Sequence, residues 1–473
     1  MGSTVFERRP PHRSVVEHSL SESRHAVFWL DDLGRRVEYP RLVGDATADL
    51  VVVGGGYTGL WTALRALERE PSLRVVVVEA KTVGWAASGR NGGFCEASLT
   101  HGRENGERRW PDELEELERL GVENLDGIEE TVARYGMECE FERTGYLSVA
   151  VEPHQVPWLA ESDGQGGARF VGEDEMRSLV NSPTYLAGLV VPPRDSALVN
   201  PAKLATELAR VVVELGGTIH EHTMVRGLER STDAVEVRTA GGTIRAQQVA
   251  LGTNAFPSLL VRNRLMTVPV YDYVLMTEPL TAAQKADIGW DGRQGVGDLA
   301  NQFHYYRQSA DDRILWGGYD AVYHAGGRIR PEYERRPESF ERLASHFLTT
   351  FPQLEGIRFS HTWAGVIDTS TQFSAFFGAA YGGRVAYAAG FTGLGVGATR
   401  FAADVMLDLL SGEETDRTRL EMVRRKPLPF PPEPAAAIGV NATRWSLDRA
   451  DHNGGRRNVL LKTLDALGLG FDS

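Results

Sequence analysis

At 473 residues, with 42% hydrophobic and 24% charged residues, the chain is globular in composition and too long for one simple core, so two or three interleaved domains are expected. The formal net charge of −13 argues against nucleic acid or an anionic membrane as partner and mildly favours a cationic substrate. Cys95 and Cys139 give neither a disulfide framework nor metal-ligand spacing, and no apolar leader or uncharged run of membrane-spanning length is present, so a cytoplasmic protein without a bound metal is expected.

Residues 1–25 are polar and are expected to wrap loosely as part of an arm reaching to residue 45, with Phe28 and Trp29 as its packing anchor. The run 50–53 is apolar without alternation, as in a central parallel strand buried on both faces. It leads into Gly54, Gly56 and Gly59, spaced Gly-x-Gly-x-x-Gly, and then a helix with Leu60, Ala63, Leu64 and Leu67 on one face, ended by Pro71. A second apolar strand, 74–78, ends at Glu79. Strand, glycine turn, helix, strand and acid in that order read as a dinucleotide site. The turn approaches a pyrophosphate, the helix start offers free N–H groups, and the carboxylate accepts ribose hydroxyls.

The loop that follows contains Ser88, Gly89, Arg90, Asn91, Gly92 and Gly93. It reads as a flexible connection or as a ligand cradle running beside a phosphate and under a flat ring; the density of glycine with Arg and Asn favours the cradle. A Glu-rich helix is expected over 112–135 and a strand over 138–151. Asn200 caps a helix that opens with Pro201 and closes at Gly216 and Gly217. Strand 218–222 and a hairpin over 235–249 lead to a strand ending in Gly252, Thr253 and Asn254.

From 268 the character changes. Runs 268–277, 302–307 and 314–319 read as aromatic antiparallel strands of a second sheet. Tyr273, Tyr305, Tyr306 and Trp316, with Trp363, suggest a pocket that attracts a cationic amine and strips its water, although each alone is also ordinary core. Arg307 is a candidate grip for a substrate carboxylate, with an ion pair as its alternative. Segment 361–368 is expected to return towards the first domain. A strand over 385–389 then meets a second glycine turn, 390–397, and a helix. A ligand that needs two such corners is long. A proline-rich stretch, 426–434, and a C-terminal extension ending in an apolar helix close the chain.

With both corners in place the chain resembles the FAD-dependent amine and amino-acid oxidoreductases of the D-amino-acid oxidase and sarcosine oxidase (DAO) superfamily, most closely the γ-glutamylputrescine oxidoreductase-like branch. The matching pieces are Val53-Gly54-Gly55-Gly56-Tyr57-Thr58-Gly59-Leu60, Glu79-Ala80, Ala87-Ser88-Gly89-Arg90-Asn91-Gly92-Gly93 and Gly390-Phe391-Thr392-Gly393-Leu394-Gly395-Val396, with weaker matches at Asn200-Pro201 and Leu251-Gly252-Thr253-Asn254. The resemblance implies an α/β fold, α+β overall: a Rossmann-like FAD domain of the glutathione-reductase type with an inserted antiparallel-sheet substrate domain. It divides the chain into an arm (1–45), an FAD domain (46–105, 186–262 and 358–425), a substrate domain (106–185 and 263–357) and a C-terminal extension (426–473).

It also implies site roles. Gly54, Gly56 and Gly59 take the pyrophosphate, with Tyr57, Thr58, Gly252 and Thr253 also lining the cofactor. Glu79, with Ala80, takes the adenosine ribose. Ser88, Gly89, Arg90, Asn91, Gly92 and Gly93 follow the ribityl chain and flavin, and the Val225 backbone pairs with adenine. Gly390, Gly393, Leu394, Gly395 and Val396 hold the pyrimidine edge. The implied reaction oxidises the C–N bond of a small amine or amino acid: hydride passes to flavin N5, the imine hydrolyses, and oxygen or another acceptor takes the electrons. Tyr273, Tyr306, Arg307 and Trp363 would line the substrate pocket. The alternatives are an NAD(P)-dependent dehydrogenase using only the first corner, or a non-catalytic flavin-binding subunit.

Two positions depart from the family pattern. Leu394 stands where relatives often carry His, and Gly397 where sarcosine-type enzymes carry a basic residue that grips a carboxylate. The oxygen-activating lysine of those enzymes has no obvious match either, since Lys285 reads as part of a surface helix. Cys95, just past the loop, raises the question of a covalent flavin; an inert buried thiol with non-covalent FAD is expected.

Overall fold

A computed structural model describes residues 2–469. Its first sheet is built on the strand Ala46–Val53, paired in parallel with Val75–Val78 on one side and Thr243–Leu251 on the other, with Thr218–His220 beyond Val75–Val78. The carboxyl ends are level: Val53 lies opposite both Val78 and Leu251. The next residue of each strand is therefore Gly54, Glu79 or Gly252, and the register alone brings these three to one edge. Val385–Ala389 joins Thr243–Leu251 through Leu251 and Tyr387, so the second glycine turn emerges at the same edge. Helices Tyr57–Arg69, Pro201–Glu214 and Gly395–Ser411 pack together over this sheet, sharing a core that includes Leu60, Leu64, Leu208 and Ala402. The antiparallel strands Val225–Arg230 and Val235–Thr239 share a separate core with Val51, Val53, Val76 and Val78.

The second sheet has ten strands and centres on the long antiparallel pair Thr267–Thr277 and Phe359–Ser370. Ile314–Gly318, His304–Gln308, Gly295–Asp298 and Tyr146–Ala150 follow in order. Strand side chains alternate between faces. Tyr271, Tyr273, Leu275, Tyr306 and Trp316 point to one face, where helix Pro337–Thr350 buries Phe340, Leu343 and Phe347 against them. Val274, Leu315, Tyr305 and Trp363 point to the other, towards the first domain, and share a core with Trp29.

Several expectations change. The arm is ordered: Phe6 and Val16 are buried, Arg13–Leu20 packs on Pro337–Thr350, and Arg24–His25 extends the second sheet in parallel beside His361 and Thr362. Polar composition concealed a few apolar anchors at helical spacing. Segment 361–368 does not belong to the first sheet; it lies within Phe359–Ser370 of the second, and only its end reaches the glycine turn. Helix Leu114–Arg134 packs Leu117, Leu125 and Ile128 into the first domain's core, whereas Ala187–Val191 pairs in the second sheet. The strand expected over 138–151 contracts to Tyr146–Ala150. The C-terminal extension forms helices Ala435–Asp451 and Val459–Ala466, the first docked through Asp451, which accepts from the backbone N–H of Asn301 at 2.8 Å and of Gln302 at 3.0 Å. Among the described residues no helix is long and apolar enough to cross a membrane.

Candidate cofactor and active site

The first corner is saturated sterically. Gly54 has φ +115°, and a Cβ there would lie 2.5 Å from the Gly252 carbonyl oxygen. A Cβ on Gly59 would lie 1.9 Å from the Gly54 carbonyl oxygen, and one on Gly56 2.8 Å from Ser88 Oγ. Helix Tyr57–Arg69 starts at Gly56 without a side-chain cap, so its leading N–H groups face the turn with the positive end of the helix dipole. Tyr57 contributes its N–H, donated to Ser88 Oγ at 2.9 Å, while its hydroxyl points away to the Pro201 carbonyl at 2.8 Å. Thr58 packs beside Gly252, with Thr253 directly after it.

Glu79 accepts the Gly55 N–H at 2.7 Å on one oxygen and the Lys81 N–H at 2.7 Å on the other, and burial raises its pKa. These bonds aim the carboxylate across the turn and leave lone pairs for ribose hydroxyls. Ala80 and Val225 are half-buried; the Thr223 N–H donates to the Glu79 carbonyl at 2.7 Å, holding the approach to Val225 beside this strand end. Uncapped N–H groups, glycines with no room for a side chain and a carboxylate at the second strand end suit the pyrophosphate and ribose of FAD. The sequence had flagged all of these except Glu221, which fixes the region from below. Its buried carboxylate accepts from Val83 N–H at 2.7 Å and Tyr39 N–H at 3.2 Å, and pairs with Arg36.

In the 88–93 loop the charged and amide side chains hold the loop itself. Asn91 Nδ2 donates to the Ala87 carbonyl at 3.0 Å and its Oδ1 accepts the Gly93 N–H at 2.8 Å. Arg90 Nε donates to the Trp85 carbonyl at 2.9 Å, and Nη1 reaches Glu334 at 2.6 Å and the Ala364 carbonyl at 3.1 Å. Two indoles clamp the loop from the far side: Trp29 Nε1 donates to the Asn91 carbonyl at 3.0 Å and Trp363 Nε1 to the Arg90 carbonyl at 2.8 Å. Gly89 is buried, and Gly92 lies against the Tyr305 ring.

Arg307 is 1% exposed, and its Nη1 donates to the Val199 carbonyl at 2.6 Å and its Nε to the Gln308 carbonyl at 3.1 Å, above the Trp29 ring. Burial lowers its pKa to about 10. It braces the loop from below and is not aimed at a substrate carboxylate. Tyr273 and Tyr306 face the helix: the Tyr273 hydroxyl donates to the Tyr333 carbonyl at 2.7 Å, and Tyr306 stacks on Trp316 at 4.4 Å. Pleat alternation, which residue type does not reveal, removes both from the cofactor face. Trp363 stays on that face. Cys95 is fully buried in the first core, where burial raises its thiol pKa, so no thiolate is available for a covalent link. Lys285 is a surface residue paired with Asp312 at 2.8 Å.

At the second corner, helix Gly395–Ser411 begins after Leu394 without a side-chain cap, leaving the N–H groups of Gly395 and Val396 for an anionic ring edge. Gly393 is exposed, with nothing within 4 Å of a Cβ, and Leu394 is half-buried. Asp368, which sequence reasoning missed, holds this turn: its carboxylate accepts the Gly390 N–H at 2.6 Å, and burial raises its pKa to about 7. Asp368 is the one carboxylate in Phe359–Ser370, and that was the signal available. Gly397 has a steric cause, since a Cβ would lie 2.2 Å from the Glu96 carbonyl oxygen. The basic residue of sarcosine-type enzymes cannot be placed there. A cavity of about 200 Å³ lies beside the carboxyl ends of Thr243–Leu251 and Val385–Ala389, lined by Thr253, Asn254, Tyr387 and Ala389, with Phe430 of the C-terminal extension on its wall.

The family model of the FAD dependent oxidoreductases (DAO) matches residues 49–409. The γ-glutamylputrescine oxidoreductase of Escherichia coli is 31% identical over 88% of this chain and 94% of its own length. The probable oxidoreductase OrdL of Haemophilus influenzae is 27% identical over 82% of this chain and 88% of its own length. Among solved structures, glycine oxidase from Geobacillus kaustophilus superposes with a TM-score of 0.64 at 18% identity, covering 80% of this chain and 99% of that one, which supports the fold.

Proposed function

The chain belongs to the DAO family of FAD-dependent oxidoreductases and oxidises a C–N bond of a small amine or amino acid, and from this premise we propose that its substrate is an amine with no carboxylate on the reacting carbon, of the γ-glutamylputrescine kind. One observation carries this reading: the two guanidinium groups nearest the cofactor loop are both committed, Arg90 to Glu334 and Arg307 to backbone carbonyls, and the Gly397 position has no room for a third cation. A substrate α-carboxylate would enter this site without a fixed partner, at the desolvation cost of an unpaired charge.

When bound, FAD supplies the two-electron acceptor. The protein's share is positioning. The helix starts at the two corners would hold the two ends of the cofactor, and Trp29, Trp363 and Arg307 fix the loop between them. Oxygen or another electron acceptor is the second reaction partner of this reading, and a cytoplasmic location goes with it. The test is a flavin-bleaching screen of the holoenzyme under anaerobic conditions. γ-Glutamylputrescine should bleach the visible band faster than sarcosine, glycine or D-alanine; faster bleaching by an α-amino acid overturns the assignment.

A further inference from the structure

Exposure along the second sheet is uneven on the face that meets the cofactor loop. On Thr267–Thr277, Tyr271 and Tyr273 are buried, but Asp272 between them is half-buried; on the partner strand, Trp363 is buried and Gly365, opposite Asp272, is half-buried. Across the sheet, Tyr305 is half-buried on the same face, its ring against Gly92 and Gly317, and its hydroxyl donates to Asp272. A Cβ on Gly365 would meet only Arg90 Cβ, at 3.9 Å. Gly365 keeps the sheet face low beside the carboxylate and the loop at 90–92, so the half-buried Asp272 sits in a depression of this face.

That acid has no cation. Among the described residues no ion pair includes Asp272; its carboxylate accepts from the Tyr305 hydroxyl and from the backbone N–H groups of Tyr273 and Gly318. The charged groups around it are already engaged: Arg90 of the loop with Glu334 at 2.6 Å, and Asp320, past the end of Ile314–Gly318, with Arg336 at 2.8 Å and with Arg342 at 2.6 Å. A half-buried carboxylate with no counter-ion carries a desolvation cost that a cationic ligand would offset.

We propose that Asp272, oriented by Tyr305, is the group that receives the substrate's ammonium at the cofactor face and takes its proton. This rests on the amine reading above. The step is a proton transfer: one N–H bond of the ammonium breaks, one O–H bond forms on the Asp272 carboxylate, and the lone pair freed on nitrogen makes the amine competent for oxidation. Burial raises the Asp272 pKa to about 6, opposed by the hydrogen bonds from the Tyr305 hydroxyl and from the Tyr273 and Gly318 backbone, which places the group where it stays ionised at neutral pH yet is basic enough to accept a proton.

The test uses the holoenzyme with two probes: γ-glutamylputrescine for anaerobic flavin reduction, and tert-butylammonium, which has the cation but no hydrogen on its α-carbon, for titration of the flavin spectrum. Asp272→Asn should keep FAD, bind tert-butylammonium about tenfold or more weakly, and reduce about 10²-fold or more slowly at saturating amine. The ascending limb of the reduction rate against pH should disappear. Tyr305→Phe removes a bond that favours the ionised acid, so it should keep the limb and move it to higher pH. Unchanged tert-butylammonium affinity in Asp272→Asn overturns the proposal whatever the true substrate is. Failure of wild type to be bleached by γ-glutamylputrescine, with the tert-butylammonium difference intact, overturns the substrate reading alone. If Asp272→Asn does not fold, an unshifted limb in Tyr305→Phe is the overturning result.

Discussion

The two glycine corners carry the same kind of motif at the same sheet edge and are held by different physics. The first is fixed by exclusion: backbone occupies the space that side chains on Gly54 and Gly59 would need, so the turn has one available shape. The second is crowded at its two ends, Gly390 and Gly397, but open in the middle, where Gly393 has free space around it, and it is tethered as well: Asp368, from a strand of the other sheet, accepts the Gly390 N–H. A corner closed by sterics tolerates no change in its own residues. A corner held in part by a hydrogen bond depends on a residue more than a turn away, and couples the second glycine turn to the second sheet.

The sharpest way to break this contrast is Gly59→Ala. With a Cβ 1.9 Å from the Gly54 oxygen, the helix must move off the strand. An overpacking cost of about 3 kcal/mol corresponds to a loss of about 100-fold in FAD affinity. The protein should purify largely colourless, and titration with FAD reads the change; wild-type affinity would show that the first corner has slack.

Asp368 gives a graded effect through pH. Its folded-state pKa, about 7, lies above the ordinary 3.8, so the native state holds the proton more tightly than the unfolded chain does. Its contribution is fully present below the ordinary value and is lost as pH rises through about 7. Asp368→Asn should therefore flatten the decline of Tm over that window relative to wild type, and should alter the flavin spectrum while leaving the protein yellow. Parallel Tm profiles would remove the tether from the second corner.

The smallest expected effect is Gly393→Ala. Only the backbone angle, φ +95°, opposes it, at about 1–2 kcal/mol. FAD should remain bound and Tm should fall by a few degrees. A loss of cofactor as severe as in Gly59→Ala would mean the two corners are held alike.

The same division marks what the sequence determined by itself and what only the tertiary structure decided. Local chemistry was legible: a glycine spacing, a helix period, an Asn cap before Pro201 and an acid ending a strand are each fixed by residues within a few positions of one another. They sufficed for both corners, for Glu79 and for the class of cofactor. Which way a strand's side chains point was not legible, because a shift of one residue exchanges the two faces. That exchange is why Tyr273 and Tyr306 pack on a helix while Asp272 and Tyr305, their immediate neighbours, face the cofactor loop. Long-range partners were hidden too: Arg307 read as a carboxylate grip or an ion pair until Val199 lay beside it, Gly397 read as a missing grip until Glu96 filled its space, and the partner of Trp29, the Asn91 carbonyl, emerged only when the arm was placed. Sequence states which groups a chain carries; pleat, register and close approach decide which of them meet.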